Sequence, residues 1–277
     1  MTLIIFVKAV VMGIVEGLTE FLPISSTGHM IVVGNFISFT GETAKLFEVF
    51  IQLGAILAVV WIYRDKVFSL LKNLPSQKGA QEFALKLLVA FTPAAVVGLL
   101  THKLIKRYLF GPVTVSYALV AGGIIILLIE AMKHRDEVSE MESLTYRMAF
   151  WVGIAQVLSL FPGVSRSGAT IMGGLLAGMN RKASTEFAFF LAIPTMFAAT
   201  LFDLAKSAGS LNSSDYGTLA VGFIAAFFSG IWVVRWLIRF VSNNNFKPFA
   251  YYRIIFGGLL LIYYFAVSPH LSAFSSK

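Results

Sequence analysis

The chain has 277 residues, 57% of them hydrophobic and only 13% charged, with a mean hydropathy of +0.81. So little charge cannot cover the surface of a water-soluble domain of this length, and the chain reads as an integral membrane protein. There is no cysteine, which excludes disulfides, thiolate nucleophiles and cysteine metal sites, and the formal charge of +8 is scattered between apolar spans as in basic membrane loops, which argues against nucleic acid as a partner.

The first apolar run begins at Leu3, with no cationic stretch before it and no small-residue cleavage site, so the N-terminus is expected to be mature sequence. It meets Glu16 and Glu20 and stops at Pro23, which pushes Leu22 out of the helical region. The hydroxyls of Ser25-Ser26-Thr27 then supply N-cap chemistry for a new helix. Three spans are predicted next, near 46–63, 84–100 and 113–132. A second motif segment breaks at Pro162-Gly163 and restarts at Ser165-Arg166-Ser167, and three further spans are predicted near 186–205, 217–238 and 250–268. Helix, break, helix inside apolar sequence predicts a re-entrant hairpin lining a protein cavity; the alternative is that each limb of the hairpin crosses the membrane fully.

The two motif segments are copies of one another. GIVEGLTEFLPISSTG from Gly13 and GIAQVLSLFPGVSRSG from Gly153 align at an offset of 140 positions. Gly13, Leu18, Phe21, Ser25 and Gly28 match Gly153, Leu158, Phe161, Ser165 and Gly168, and Phe47, Phe50 and Ala58 match Phe187, Phe190 and Ala198. At shorter offsets Val89, Phe91 and Gly98 match Val221, Phe223 and Gly230, and Gly122-Gly123 matches Gly257-Gly258. The predicted architecture is an all-α integral membrane protein with an inverted-topology repeat, each half one re-entrant helical hairpin plus three transmembrane helices. The chain is read as a single membrane domain, 1–277, with repeat one at about 1–136 and repeat two at about 145–277. Three spans per half is an odd number, so the second half enters the membrane inverted. Cations including Arg64, Lys66, Lys72, Lys133, Arg181, Arg239 and Arg253 fall on one side, outnumbering those on the other, such as Lys8, by about two to one. That bias puts the first side in the cytoplasm and both termini outside.

The copies differ where chemistry could sit. The first carries Glu16, Glu20, Ser26 and His29, and the second has Gln156, Leu160, Arg166 and Ala169 in their places. Glu16 and Glu20 are four apart and project from one helix face. Two like charges in apolar sequence are relieved by a cation, a shared proton or a wet cavity, and a hard divalent cation bridging to phosphate is the most economical reading; acids facing outer water at the hairpin mouth are the plainer one. Ser25, Ser26 and Thr27 stand at a helix start, where free N–H groups favour an anion, although capping alone explains one of the hydroxyls. His29 follows Ser26 by three residues on nearly the same face, so the pair could supply a nucleophile and a general base, with either residue in the first role. Arg166 offers a fork suited to two phosphate oxygens, flanked by Ser165, Ser167 and Thr170; a structural ion pair with Glu16 or Glu20 is the alternative. Gly13 and Gly17 form a small-residue face for helix packing. Trp61, Tyr63, Tyr108, Trp151, Trp232, Trp236, Tyr251 and Tyr252 lie near span ends and read as interface belts.

With these residues in view the chain resembles the bacterial undecaprenyl-diphosphatase, or bacitracin-resistance, family. Glu16 and Glu20 fill that family's Glu/Gln-xxx-Glu pattern, and Pro162, Gly163, Ser165, Arg166, Ser167 and Thr170 fill its Pro-Gly-x-Ser-Arg-Ser-x-x-Thr pattern. The resemblance covers essentially the whole chain, with no departure at a signature position. It implies hydrolysis of undecaprenyl diphosphate to the monophosphate, with a divalent cation (Mg2+ or Ca2+) as cofactor. It also implies residence in the bacterial inner membrane, with the active site facing the outer side. In the expected assignment Glu16 and Glu20 hold the metal and Ser26 or His29 attacks. Arg166, with Ser25, Thr27, Ser165, Ser167 and Thr170, binds the phosphates. The partners expected are the lipid substrate and the membrane, with a homodimer left open. Two rival readings are a lipid-phosphate carrier, since inverted repeats with broken helices also build transporters, and a type 2 phosphatidic-acid phosphatase, to which SSTGH is loosely similar but whose remaining motifs this chain lacks.

Overall fold

A computed structural model describes residues 2–109, 111–133, 136–207 and 215–267, and these are almost entirely helical. Eleven α-helices are described: α1 (Thr2–Thr19), α2 (Ser26–Phe36), α3 (Glu42–Ile62), α4 (Arg64–Asn73), α5 (Lys78–Tyr108), α6 (Pro112–Ala131), α7 (Tyr146–Val157), α8 (Arg166–Ala177), α9 (Arg181–Ser207), α10 (Asp215–Val241) and α11 (Lys247–Ile262). Each of the six predicted spans has its helix (α3, α5, α6, α9, α10, α11). Five of these are long and apolar enough to cross a membrane alone, and the sixth is counted when α3 is joined to α4 across a 79° bend. Only Ser268, the last residue of the sixth predicted span, lies outside the described residues. Several helices begin earlier than hydropathy alone suggests. α5 starts six residues before its predicted span because its first turns carry Lys78, Gln81, Glu82 and Lys86, which extend the helix without adding apolar length. α4 was not anticipated. It is short and polar, with no buried residue, and hydropathy has nothing to register there.

The two motif segments form helical hairpins, α1–α2 and α7–α8, with the break where proline was expected to put it. At 1.5 Å per residue, the 11 residues of α2 and the 12 each of α7 and α8 rise only about 17–18 Å, well short of the ~30 Å hydrocarbon core. Those limbs are too short to cross a membrane.

Each hairpin is packed against the other half of the chain. The first limb of hairpin one, α1, lies along α10, and its counterpart α7 lies along α5. Glycine makes both approaches close. A Cβ on Gly13 would stand 2.9 Å from the Ala225 Cβ, one on Gly17 would run into Ser229 and the Ala226 carbonyl, and one on Gly153 would stand 2.9 Å from the Ala90 Cα. Gly13 and Gly17 are therefore packing residues, as their spacing suggested. Since α5 and α10 carry the matching Val-Phe-Gly positions, the exchange is reciprocal. The last helices of the halves, α6 and α11, pack on each other through Gly123 and Gly257; a Cβ there would meet the Ala250 and Ser116 carbonyls at 2.8 and 2.9 Å. A core of Phe21, Ile24, Ile56, Ile171, Phe189 and Phe246 fills the space beneath the hairpin breaks, with Phe21 and Phe189 edge to face at 5.4 Å between centroids.

Candidate active site

Both hairpins turn on a serine with positive φ. Ser25 has φ 70° and ψ 98°, and Ser165, its counterpart 140 residues on, has φ 71° and ψ 115°. Such a conformation costs a non-glycine residue about 1–3 kcal/mol and persists only where the surroundings fix it. For Ser165 they do so visibly: its Oγ accepts the Gly168 N–H at 3.1 Å and hydrogen-bonds the Ser167 hydroxyl at 3.1 Å. The Ser25 side chain does not cap α2, which leaves the first-turn N–H groups of that helix uncapped by it. The turns make Ser26 the first residue of α2 and Arg166 the first residue of α8. The repeat thus places a hydroxyl and a guanidinium at equivalent starts of two helices.

One carboxylate joins them. The Ser26 hydroxyl donates to Glu20 Oε2 at 2.5 Å, and Arg166 Nη2 donates to Glu20 Oε1 at 3.2 Å. The Glu20 and Arg166 side chains are only 9% and 11% exposed, so their pairing is screened far less than a surface ion pair. Arg166 Nη1 donates to the Ala188 carbonyl at 3.3 Å, while its Nε is buried without a partner. One turn back, Glu16 is buried and its Oε1 also has no hydrogen-bond partner. Buried polar atoms are normally paired, so these two orphans at one site need a reason. The chemistry of the two atoms is complementary: the Glu16 oxygen would accept a cation and the Arg166 N–H an anion. Among the described residues no group of three His, Asp or Glu side chains is gathered as a metal-ligand set. Glu16 and Glu20 thus suit a hard divalent ion only where phosphate and water oxygens complete its coordination. Gln156, which takes the place of Glu16 in the second copy, is likewise fully buried with its Nε2 unpartnered.

His29 is held apart from Ser26. Its Nδ1 lies 2.8 Å from the Ser25 carbonyl, which can only accept, so Nδ1 carries a proton. In the neutral ring Nε2 then accepts from the Tyr252 hydroxyl at 2.6 Å. The ring stacks on Phe256 at 4.6 Å between centroids. The Ser26/His29 pairing that the three-residue spacing suggests is not made; Ser26 is paired with Glu20 instead. The flanking hydroxyls are also committed within the protein. Ser167 donates to the Leu22 carbonyl at 2.8 Å, and the Thr170 hydroxyl bonds the Arg166 and Ser167 carbonyls of its own helix. Thr27 is half-buried beside Ser26.

Two residues of α11 belong to this site and were misread from sequence. Tyr252 is more than an interface tyrosine, since its hydroxyl is the partner of His29. Arg253 is not a cytoplasmic-side loop cation: it is 1% exposed and reaches the backbone of both hairpin breaks. Removing it from the charge tally leaves the two-to-one bias nearly unchanged.

A protein-family model described as Bacitracin resistance protein BacA matches residues 9–259, both hairpin breaks included. The chain belongs to this family. It is 52% identical over 259 residues to a protein of Thermoanaerobacter sp. (strain X514) named undecaprenyl-diphosphatase, covering 93% of this chain and 96% of that one. Proteins of the same name from Nitrosospira multiformis (52% over 258 residues, 93% and 94% coverage) and Ectopseudomonas mendocina (51% over 254 residues, 92% of each) are similar to it over the same extent. Family membership agrees with the resemblance carried by the Glu16/Glu20 and Pro162–Thr170 patterns.

Proposed function

We propose that the protein hydrolyses undecaprenyl diphosphate to undecaprenyl phosphate and inorganic phosphate, returning the lipid carrier to cell-wall synthesis and conferring resistance to bacitracin. The observation that carries this reading is the Glu20 carboxylate, which joins a hydroxyl from one hairpin to a guanidinium from the other.

In this reading Glu20 accepts the Ser26 proton as the hydroxyl oxygen bonds to the terminal phosphorus, and the bridging P–O bond breaks to release undecaprenyl phosphate. Glu20 passes that proton to the departing phosphate oxygen and is a base again when water attacks the phosphoserine; the water's proton goes through Glu20 to the Ser26 oxygen as its P–O bond breaks, freeing inorganic phosphate and restoring the hydroxyl. Arg166 exchanges part of its bond to Glu20 for the phosphoryl oxygens, using the Nε that has no partner, and so stabilises charge on the group in transfer. A divalent cation, Mg2+ or Ca2+, would be held by Glu16 and Glu20 and would neutralise diphosphate charge. His29, tied to the Ser25 carbonyl and Tyr252, steadies the turn that presents Ser26. A single chain holds every group named, so the mechanism needs no second copy.

The setting proposed is the bacterial inner membrane, with the halves inverted, the hairpins re-entrant from opposite faces and the site open to the outer side. The short hairpin limbs and the basic-loop bias support it. Protein purified in detergent should release phosphate from undecaprenyl diphosphate, a readout that a lipid carrier of the same fold would not give. Absence of release, with lipid movement in vesicles, would favour the carrier.

A further inference from the structure

We infer that Arg253 is a positioning residue for this reaction: it clamps the two hairpin tips at the separation at which Ser26 and Arg166 share Glu20. The inference rests on the phosphatase reading of that site. All five guanidinium N–H groups go to main-chain carbonyls. Nη1 donates to Pro23 at 3.2 Å and Val164 at 2.9 Å, Nη2 to Gly163 at 3.1 Å and Ala118 at 3.1 Å, and Nε to Leu119 at 3.2 Å.

Pro23 and Gly163 are the same position in the two copies, three residues before Ser26 and Arg166 respectively. A broken helix leaves carbonyls without intrahelical partners, and in apolar surroundings each must be answered from within the protein. One side chain here answers both breaks at once and anchors them to α6. No other side chain carries five donors in a fixed fan, and lysine, with three on a single nitrogen, cannot reproduce it. Among the described residues no carboxylate is paired with Arg253, so its geometry is devoted to backbone. The seat is cleared for it: a Cβ on Gly122 of α6 would lie 2.6 Å from the guanidinium carbon, and one on Gly168 of α8 would lie 3.3 Å from Nη1.

The test uses full-length protein in detergent, with Arg253→Lys and Gly122→Ala as variants. Three quantities are read: kcat and KM for phosphate release from undecaprenyl diphosphate, thermal unfolding, and the distance between spin labels on Leu22→Cys and Phe161→Cys. With no native cysteine, only those two positions are labelled. Because a misplacement of ~1 Å can cost about a hundredfold in rate, kcat should fall at least about tenfold in Arg253→Lys, with KM within about threefold of wild type. The label distance distribution should broaden. Gly122→Ala, a change that ordinarily favours a helix, should show the same signature more weakly. Wild-type kcat with a narrow distribution in both variants overturns the inference, as does a loss that only follows the fraction of unfolded protein. If Arg253→Lys does not fold, Gly122→Ala decides by the same criteria. If wild-type protein releases no phosphate, the reading of the site fails, and the label distances still decide the clamp.

Discussion

Replacing Glu20 by glutamine keeps the shape of the bridge between the hairpins and removes its charge and its basicity. Arginine only donates hydrogen bonds, so the amide oxygen must stay on Arg166 and the amide NH2 must turn toward Ser26. The hydroxyl then faces a donor where it had a base 2.5 Å away. A positioned general base is worth about 10²–10⁴ in rate, or roughly 3–5 kcal/mol at ~1.36 kcal/mol per decade. We therefore expect kcat to fall by about that factor. Stability should drop by only about 1–3 kcal/mol, since Arg166 keeps an acceptor. The assay is phosphate release in detergent for Glu20→Gln, Ser26→Ala and the double variant. If Glu20 acts through Ser26, the double variant is scarcely worse than the worse single one. A double variant whose loss is the product of the single losses, or a Glu20→Gln enzyme within about threefold of wild type, would refute the reasoning.

Other outcomes follow from the same geometry. Arg166→Lys keeps the charge but cannot hold Glu20, the Ala188 carbonyl and a phosphate together, so kcat/KM should fall at least about tenfold; near-normal turnover would rule out the two-pronged clamp. Tyr252→Phe removes the hydroxyl on His29 Nε2 but keeps the stacked ring, a loss of about one hydrogen bond, and kcat should stay within about tenfold of wild type. A loss of a thousandfold or more would make His29 Nε2 the reacting base. Glu16→Gln should raise the concentration of Mg2+ or Ca2+ needed for half-maximal activity, read directly by titrating chelator-treated protein and in parallel by the cation's effect on thermal unfolding; an unchanged requirement would remove Glu16 from the metal.

Much of this site was legible in the sequence because it lies in two short segments that repeat one another. The differing positions of a duplicated scaffold, Glu20, Ser26 and Arg166, are those the fold brings together. What sequence could not supply was the partner of each group. A spacing of three puts Ser26 and His29 on one helix face, but side-chain direction and the positive φ at Ser25 turn Ser26 to Glu20 and leave His29 to Tyr252 on a distant helix. Ser165, Ser167 and Thr170 looked like phosphate ligands because they are hydroxyls beside an arginine. In the structure their hydroxyls bond locally, capping α8 and tying its start to the Leu22 carbonyl. Arg253 was misplaced for a different reason: a cation within a few residues of a span end resembles a loop charge. A signal was available. Pro248 fixes the start of α11 at Lys247, six residues or about 9 Å before Arg253, and the Gly122-Gly123 pair opens a seat on the matching helix.

The most direct measurement is a rapid quench of wild-type protein in neutral detergent denaturant, which spares phosphoserine and phosphohistidine alike, during turnover of undecaprenyl diphosphate labelled on its terminal phosphate, followed by peptide mapping near neutral pH. Label is expected on Ser26, absent in Ser26→Ala and failing to build up in Glu20→Gln. Label on His29, or no labelled protein while oxygen from solvent water enters the released phosphate in a single step, would contradict that expectation.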